Sequence, residues 1–152
     1  MGSIVTIQIS PATRTERGAR ETRDAIDVVA GKGIDGDIHF GGESAAQVTL
    51  IAEEDVAAFN GETQDGFKPT DIGRNIVTRG VDVNALVGKT FRAGDAVLEG
   101  IEPCAPCATL GARLAHYRLT AQEVVKGLVN RGGLRARVVE SGRIEVGSNV
   151  EV

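Results

Sequence analysis

A chain of 152 residues, 41% of them hydrophobic, is long enough for one core and short for two, so residues 1–152 are expected to form a single domain. A net charge of −4 and an aromatic content of 3% argue against nucleic acid as a partner, because there is no excess of cations for phosphates and few rings on which bases stack. No stretch approaches the roughly 20 apolar residues that span a bilayer, no leader-like segment opens the sequence, and two cysteines make a poor disulfide framework, so the expectation is a cytoplasmic protein with reduced thiols and no membrane partner.

Ser3 to Ile9 sets Ile4, Val5, Ile7 and Ile9 among polar neighbours, a strand pattern closed by Ser10-Pro11. Thr13 to Arg23 mixes charges without an apolar stripe and predicts an exposed loop or ribbon. Asp24 to Ala30 reads as a second strand. Gly31 to Gly42 holds five glycines in twelve residues, a segment of tight turns and close backbone approach. Its Gly31-x-Gly33-x-x-Gly36 spacing formally matches a dinucleotide fingerprint, but it opens no helix and that reading is discarded. Gln47 to Ala52 is a short buried strand, followed by a helix over Glu53 to Phe59 with acids in its first turn and Asn60-Gly61 at its end. Asp71 to Thr78 carries Ile72, Ile76 and Val77 around Gly73-Arg74-Asn75, and Val83 to Leu86 is one turn of helix. Lys89 to Arg92 and Ala96 to Ile101 are strands around Ala93-Gly94-Asp95. Thr120-Ala121-Gln122-Glu123 is a capping box that opens a helix bearing Val124, Val125, Leu128 and Val129, stopped at Asn130 to Gly133. Leu134 to Glu140, Arg143 to Val146 and Asn149 to Val152 finish as β-ribbon. Many short strands, few helices and no regular β-α-β alternation predict a mainly β fold: a closed or partly closed β-barrel with a few short peripheral helices.

Both cysteines fall in Pro103-Cys104-Ala105-Pro106-Cys107, between a strand and a predicted helix over Ala108 to Tyr117. Pro106 suits the first helical position, which would set Cys107 against the free N–H groups and positive end of that helix and favour its thiolate. Cys107 is therefore the first candidate for a nucleophile or metal ligand. Cys104 is either a resolving thiol or a packed small residue. The Cys-x-x-Cys spacing also fits thiol–disulfide exchange, but the βαβ surroundings of that chemistry are missing. A zinc site would need two further ligands, and the spacing of His39 and His116 does not tie them to the cysteines.

Four blocks in sequence order carry a resemblance. They are Gly36-Asp37-Ile38-His39; Gln47-Val48-Thr49-Leu50-Ile51; Asn75 to Asp82 with Leu86-Val87-Gly88 and Gly94-Asp95; and Pro106-Cys107. Together they resemble the MOSC domain, the C-terminal part of molybdenum-cofactor sulfurases, from about Gly33 to Cys107 and more loosely to Val152. The resemblance implies a β-barrel whose cleft handles the molybdenum cofactor (molybdopterin, a pterin phosphate carrying molybdenum on a dithiolene). It further implies that Cys107 carries sulfur as a persulfide or ligates molybdenum, with a sulfurtransferase-type activity as the candidate reaction. There is no room here for a pyridoxal-phosphate module, so a separate cysteine desulfurase would load the sulfur and a molybdoenzyme would receive it. The chain departs from the family at Arg74, where the family has glutamate. It departs again at Ala45-Ala46, in place of an arginine, and at Gly147-Ser148-Asn149, in place of a Gly-Asp turn.

Within this resemblance, Gly36, Asp37 and His39 are either turn-forming groups or a backbone cradle for a phosphate with His39 as an added donor. Arg74 offers a bidentate fork to a phosphate. Asn75 reads a pterin edge or satisfies barrel-end backbone. Arg113 either reaches the same cleft or stays solvated. A non-catalytic cofactor-binding or chaperone module stands as the alternative function.

Overall fold

A computed structural model describes residues 2–13, 16, 19–44 and 46–152. Part of the predicted Thr13–Arg23 ribbon (residues 14, 15, 17 and 18) and Ala45 lie outside the described residues. In chain order the elements are β1 (Gly2–Ile9), β2 (Glu21–Arg23), β3 (Ala25–Val29), β4 (Gly33–Ile34), β5 (Val48–Ala52), α1 (Glu53–Thr63), β6 (Ile76–Arg79), β7 (Thr90–Ala93), β8 (Ala96–Pro103), α2 (Ala108–Leu114), α3 (Ala121–Gly127), β9 (Leu134–Glu140), β10 (Gly142–Glu145) and β11 (Asn149–Glu151). Single 3-10 turns occupy Pro69–Ile72 and Val83–Leu86.

Seven strands run in the order β11-β7-β8-β9-β5-β6-β1, and pairing of β1 with β11 closes them into the expected barrel. β2 flanks β1, and β10, β3 and β4 form a small second sheet. The pairings are antiparallel except β5 with β6, which run parallel. A parallel pair needs a crossover, and α1 with the 3-10 turn after it provides one.

Why β1 can serve the barrel is visible in its sequence. Strict alternation would send Ile4 to one face and Ile7 and Ile9 to the other. A register shift between Ile4 and Thr6 against β6 absorbs one residue, and all three isoleucines enter the barrel core. Val5 is left on the outside, against a second cluster. That cluster sits on the outer face of β5 and β6, where Ile51 and Val77 meet Val56 and Phe59 of α1, Leu110 and Leu114 of α2, and Val124 and Leu128 of α3 and its end. The helices thus cover one flank of the barrel and leave the neighbouring end of β5 open. No helix among the described residues is long and apolar enough to cross a membrane.

Several boundaries differ from expectation: β8 runs past Ile101 to Pro103 and α3 ends at Gly127. α1 passes through Asn60-Gly61 to Thr63 and ends with Gln64 in the left-handed region. Instead of stopping the helix, the Asn60 side chain clamps the following loop, accepting from the Phe67 amide at 3.0 Å and donating to its carbonyl at 2.8 Å. α2 ends at Leu114 rather than Tyr117, because His116 and Leu119 exchange backbone hydrogen bonds in a tight turn. Its start also moves: Cys107 is the N-cap, with extended backbone, and Ala108 is the first helical residue, so Pro106 lies outside the helix.

Candidate functional site

The site has two parts, a cysteine segment and a cleft, with arginines between them. β8 runs on to Pro103 and delivers Cys104 still in register with β9, its amide donating to the Gly133 carbonyl at 2.9 Å. Cys104 is buried and Cys107 is exposed. Gly132 backs the segment closely: a Cβ there would stand 2.1 Å from the Cys104 carbonyl oxygen, so no other residue fits without moving the backbone.

The two thiols are pushed in opposite directions. The amide of Leu110, and after it that of Thr109, face Cys107 and hold its pKa below the ordinary thiol value against some desolvation, with the Arg74 charge adding to the effect. Its sulfur makes no strict capping hydrogen bond. Burial pushes the Cys104 thiol up, partly offset by the Arg74 and Arg135 guanidinium groups. The two cysteines are both free thiols, one buried and one exposed.

The cleft, about 600 Å³ in volume, opens at the end of β1 and β5 that the helices leave uncovered. Arg20, Arg74 and Arg135 line it together with Ser10, Thr49 and Asn75, the glycine-rich turn contributing Asp37 and His39. Glu43 lines it as well, so three arginines face two carboxylates, Asp37 and Glu43, and the concavity keeps a formal excess of one positive charge in a protein of net charge −4.

Each predicted residue has a definite place. Gly36, with φ of +89°, turns the chain into the loop but does not line the cleft. Asp37 is buried and spent on that loop: Oδ1 accepts from the Ser10 amide at 2.9 Å, and Oδ2 accepts from the His39 amide at 3.0 Å with His39 Nδ1 at 3.1 Å. The His39 side chain itself is exposed at the rim. Asn75 commits three of its four hydrogen-bonding positions inward. Its Oδ1 accepts from Thr49 N and Oγ1, both at 3.0 Å, and Nδ2 donates to the Gln8 carbonyl at 3.1 Å. Arg74 donates from Nε to the Gly132 carbonyl at 2.8 Å. Its pKa is lowered, first by burial and then by the charges of Arg135 and Arg113, while both cysteines pull it back up. The guanidinium stays charged through this, given its ordinary range. Arg113 does not line the cleft; it is exposed, as the second alternative held, while Nη2 donates to the Ile72 and Asp71 carbonyls at 2.9 and 3.0 Å, closing the 3-10 turn. The cysteines lie outside the cleft lining, behind Arg74 and Arg135.

Sequence reasoning missed Gln8, Thr49, Arg20 and Arg135. Gln8 is 5% exposed, and Nε2 donates to the Thr70 and Arg74 carbonyls, each at 3.0 Å, pinning the segment that bears Arg74. A lone amide between Ile7 and Ile9 was the available signal for it. Arg135 carries no local signal, because its place comes from pairing: it lies opposite Thr49 of β5 and Glu102 of β8.

Residues 35–151 match the model of the MOSC domain, and the chain belongs to the MOSC domain family. Solved structures agree on the fold. The YuaD protein from Bacillus subtilis superposes with a TM-score of 0.85 at 20% identity, covering 99% of this chain and 95% of that one. YiiM from Geobacillus stearothermophilus gives 0.72 at 18% identity, covering 99% and 74%, and YiiM from Escherichia coli 0.70 at 16%, covering 98% and 68%. No curated protein shows significant sequence similarity to the chain.

Proposed function

We propose that this domain binds the molybdenum cofactor in the arginine-lined cleft and uses Cys107 either to carry sulfur as a persulfide or to ligate molybdenum. The observation that carries the reading is the placement of Arg74, which lines the cleft and also lends its charge to Cys107. The residues suit the group. Arg20, Arg74 and Arg135 offer guanidinium donors to a phosphate, the remaining N–H of Asn75 is free for a ring edge, and a thiolate is the ligand type soft metals take. When bound, the cofactor supplies a molybdenum centre able to accept sulfur or thiolate.

The protein's own step is sulfur loading. The Cys107 thiolate attacks the terminal sulfur of a donor persulfide, R–S–SH. A Cys107 S–S bond forms, the donor S–S bond breaks, the donor leaves as thiolate R–S⁻, and the proton stays on the transferred sulfur. A separate cysteine desulfurase is the donor and a molybdoenzyme the acceptor. The test is intact mass after incubation with a cysteine desulfurase and cysteine. A gain of about 32 Da, one sulfur, lost in Cys107→Ser and kept in Cys104→Ser, is the expected result. No gain in the wild type removes the carrier role. The polar set of the cleft is complete without Cys107, which favours a binding or chaperone module as the second reading; cofactor retained by Cys107→Ser would support it.

A further inference from the structure

β8 and β9 carry two arginine–glutamate pairs that face each other across the ladder, and they differ in one respect. Arg137 lies opposite Glu99, and Nε is 2.5 Å from Oε1. Arg135 lies opposite Glu102, yet Nη1 is 3.9 Å from Oε1, past hydrogen-bonding distance. The cause is a register shift in β8 between Gly100 and Glu102. A bulge of this kind re-aims the side chains beside it. Only the loosened pair borders the cleft: Arg135 lines it, flanked by Thr49 on β5.

Both partners are exposed, Arg135 by 48% and Glu102 by 56%. Exposed ion pairs without close geometry contribute little to stability. Beyond that weak pair Arg135 is tied to the fold only through a side-chain hydrogen bond with the Cys104 thiol, a neutral and weak acceptor. Arg74, in contrast, is tied to Gly132, and Arg113 to the 3-10 turn. The groups facing Arg135 are Glu102 of β8, Cys104 beyond it and Arg74 from the segment before β6. Among them only Glu102 is an anion at neutral pH that competes for the guanidinium.

We propose that Arg135 is a specificity-determining residue of the cleft, held near Glu102 when the cleft is empty and taken from it by a dianionic phosphate group. A dianion offers the guanidinium a bidentate fork and twice the charge of the carboxylate. A monoanion must share Arg135 with Glu102, so Glu102 selects against singly charged ligands. This inference rests on the reading of the cleft as an anion site, and the experiment separates the two.

Inorganic phosphate is titrated at pH 8 into the whole protein by calorimetry, with nitrate as the monoanion, for wild type, Arg135→Gln, Glu102→Gln and Glu99→Gln. Arg135→Gln is expected to weaken phosphate about tenfold. Glu102→Gln is expected to tighten it about threefold and to raise nitrate affinity by more. Glu99→Gln, on the tight pair, is expected to leave both unchanged. All three positions are solvent-facing, so the variants retain the fold. Phosphate binding in the wild type that ignores Arg135→Gln, or that weakens in Glu102→Gln, overturns the role of Arg135 and leaves the anion cleft standing. No phosphate binding in the wild type overturns both.

Discussion

Replacing Asn75 by alanine separates a structural amide from a ligand-reading one. Asn75 makes three part-buried hydrogen bonds, two accepted from Thr49 and one donated to the Gln8 carbonyl. Each is worth about 1 kcal/mol net, and the Thr49 amide and Gln8 carbonyl would lose their partners, so about 3 kcal/mol is at stake. The site borders the cleft, so water enters the gap and satisfies some of these groups, which keeps the loss from growing larger. For a chain of this size that corresponds to a fall of about 6–12 °C in Tm. Urea unfolding of wild type, Asn75→Ala and Asn75→Asp gives the comparison; aspartate keeps the two acceptor bonds and loses the donor, so it should fall between the others. A loss below about 1 kcal/mol in Asn75→Ala would refute the reasoning, and combined with a collapse of phosphate affinity it would make Asn75 a ligand-contacting residue instead.

Two further perturbations probe the cysteine segment. The lowered pKa of Cys107 means a larger thiolate fraction at neutral pH, so iodoacetamide should modify Cys107 well before Cys104, with a rate midpoint below the ordinary thiol value. Arg74→Gln removes a charge that favours the thiolate, so that midpoint should move up and the rate at pH 7 fall; an unmoved midpoint would show that the helix amides act alone. Gly132→Ala places a Cβ 2.1 Å from a backbone oxygen that cannot rotate away. It should cost about 3 kcal/mol and, as a local signature, open buried Cys104 to alkylation in the native state. Unaltered stability in that variant would mean that the Cys104 segment yields easily.

The parts of this protein that sequence could reveal are those with local causes. Ile4, Ile7 and Ile9 announce β1, and the Thr120 to Glu123 capping box opens α3 where expected. What sequence could not reveal depends on partners far along the chain. The bulge that brings Ile4 and Ile7 to the same face exists only against β6. For Arg113 the sequence left open the cleft or solvent, and it could not show the carbonyls of Asp71 and Ile72 that its exposed side chain binds. Pro106 looked like a helix opener because its ring fits the first turn, yet Cys107 retains extended backbone and takes the capping position itself.

The same distinction explains how a short acidic chain assembles a cationic site. Arg20, Arg74 and Arg135 come from distant points of the sequence, so no basic run betrays them. Their mutual repulsion opposes the fold unless other contacts hold the segments in place. Around Arg74 those contacts are neutral: the Gln8 amide on the Thr70 and Arg74 carbonyls, the Asn75–Thr49 pair, and the Gly132 carbonyl beneath Arg74. None of them consumes the positive charge. A carboxylate in their place would hold the segment equally well and cancel the field that an anionic ligand meets. Holding the Arg74 segment with amides and carbonyls keeps the charge of Arg74 available both to an anion in the cleft and to Cys107.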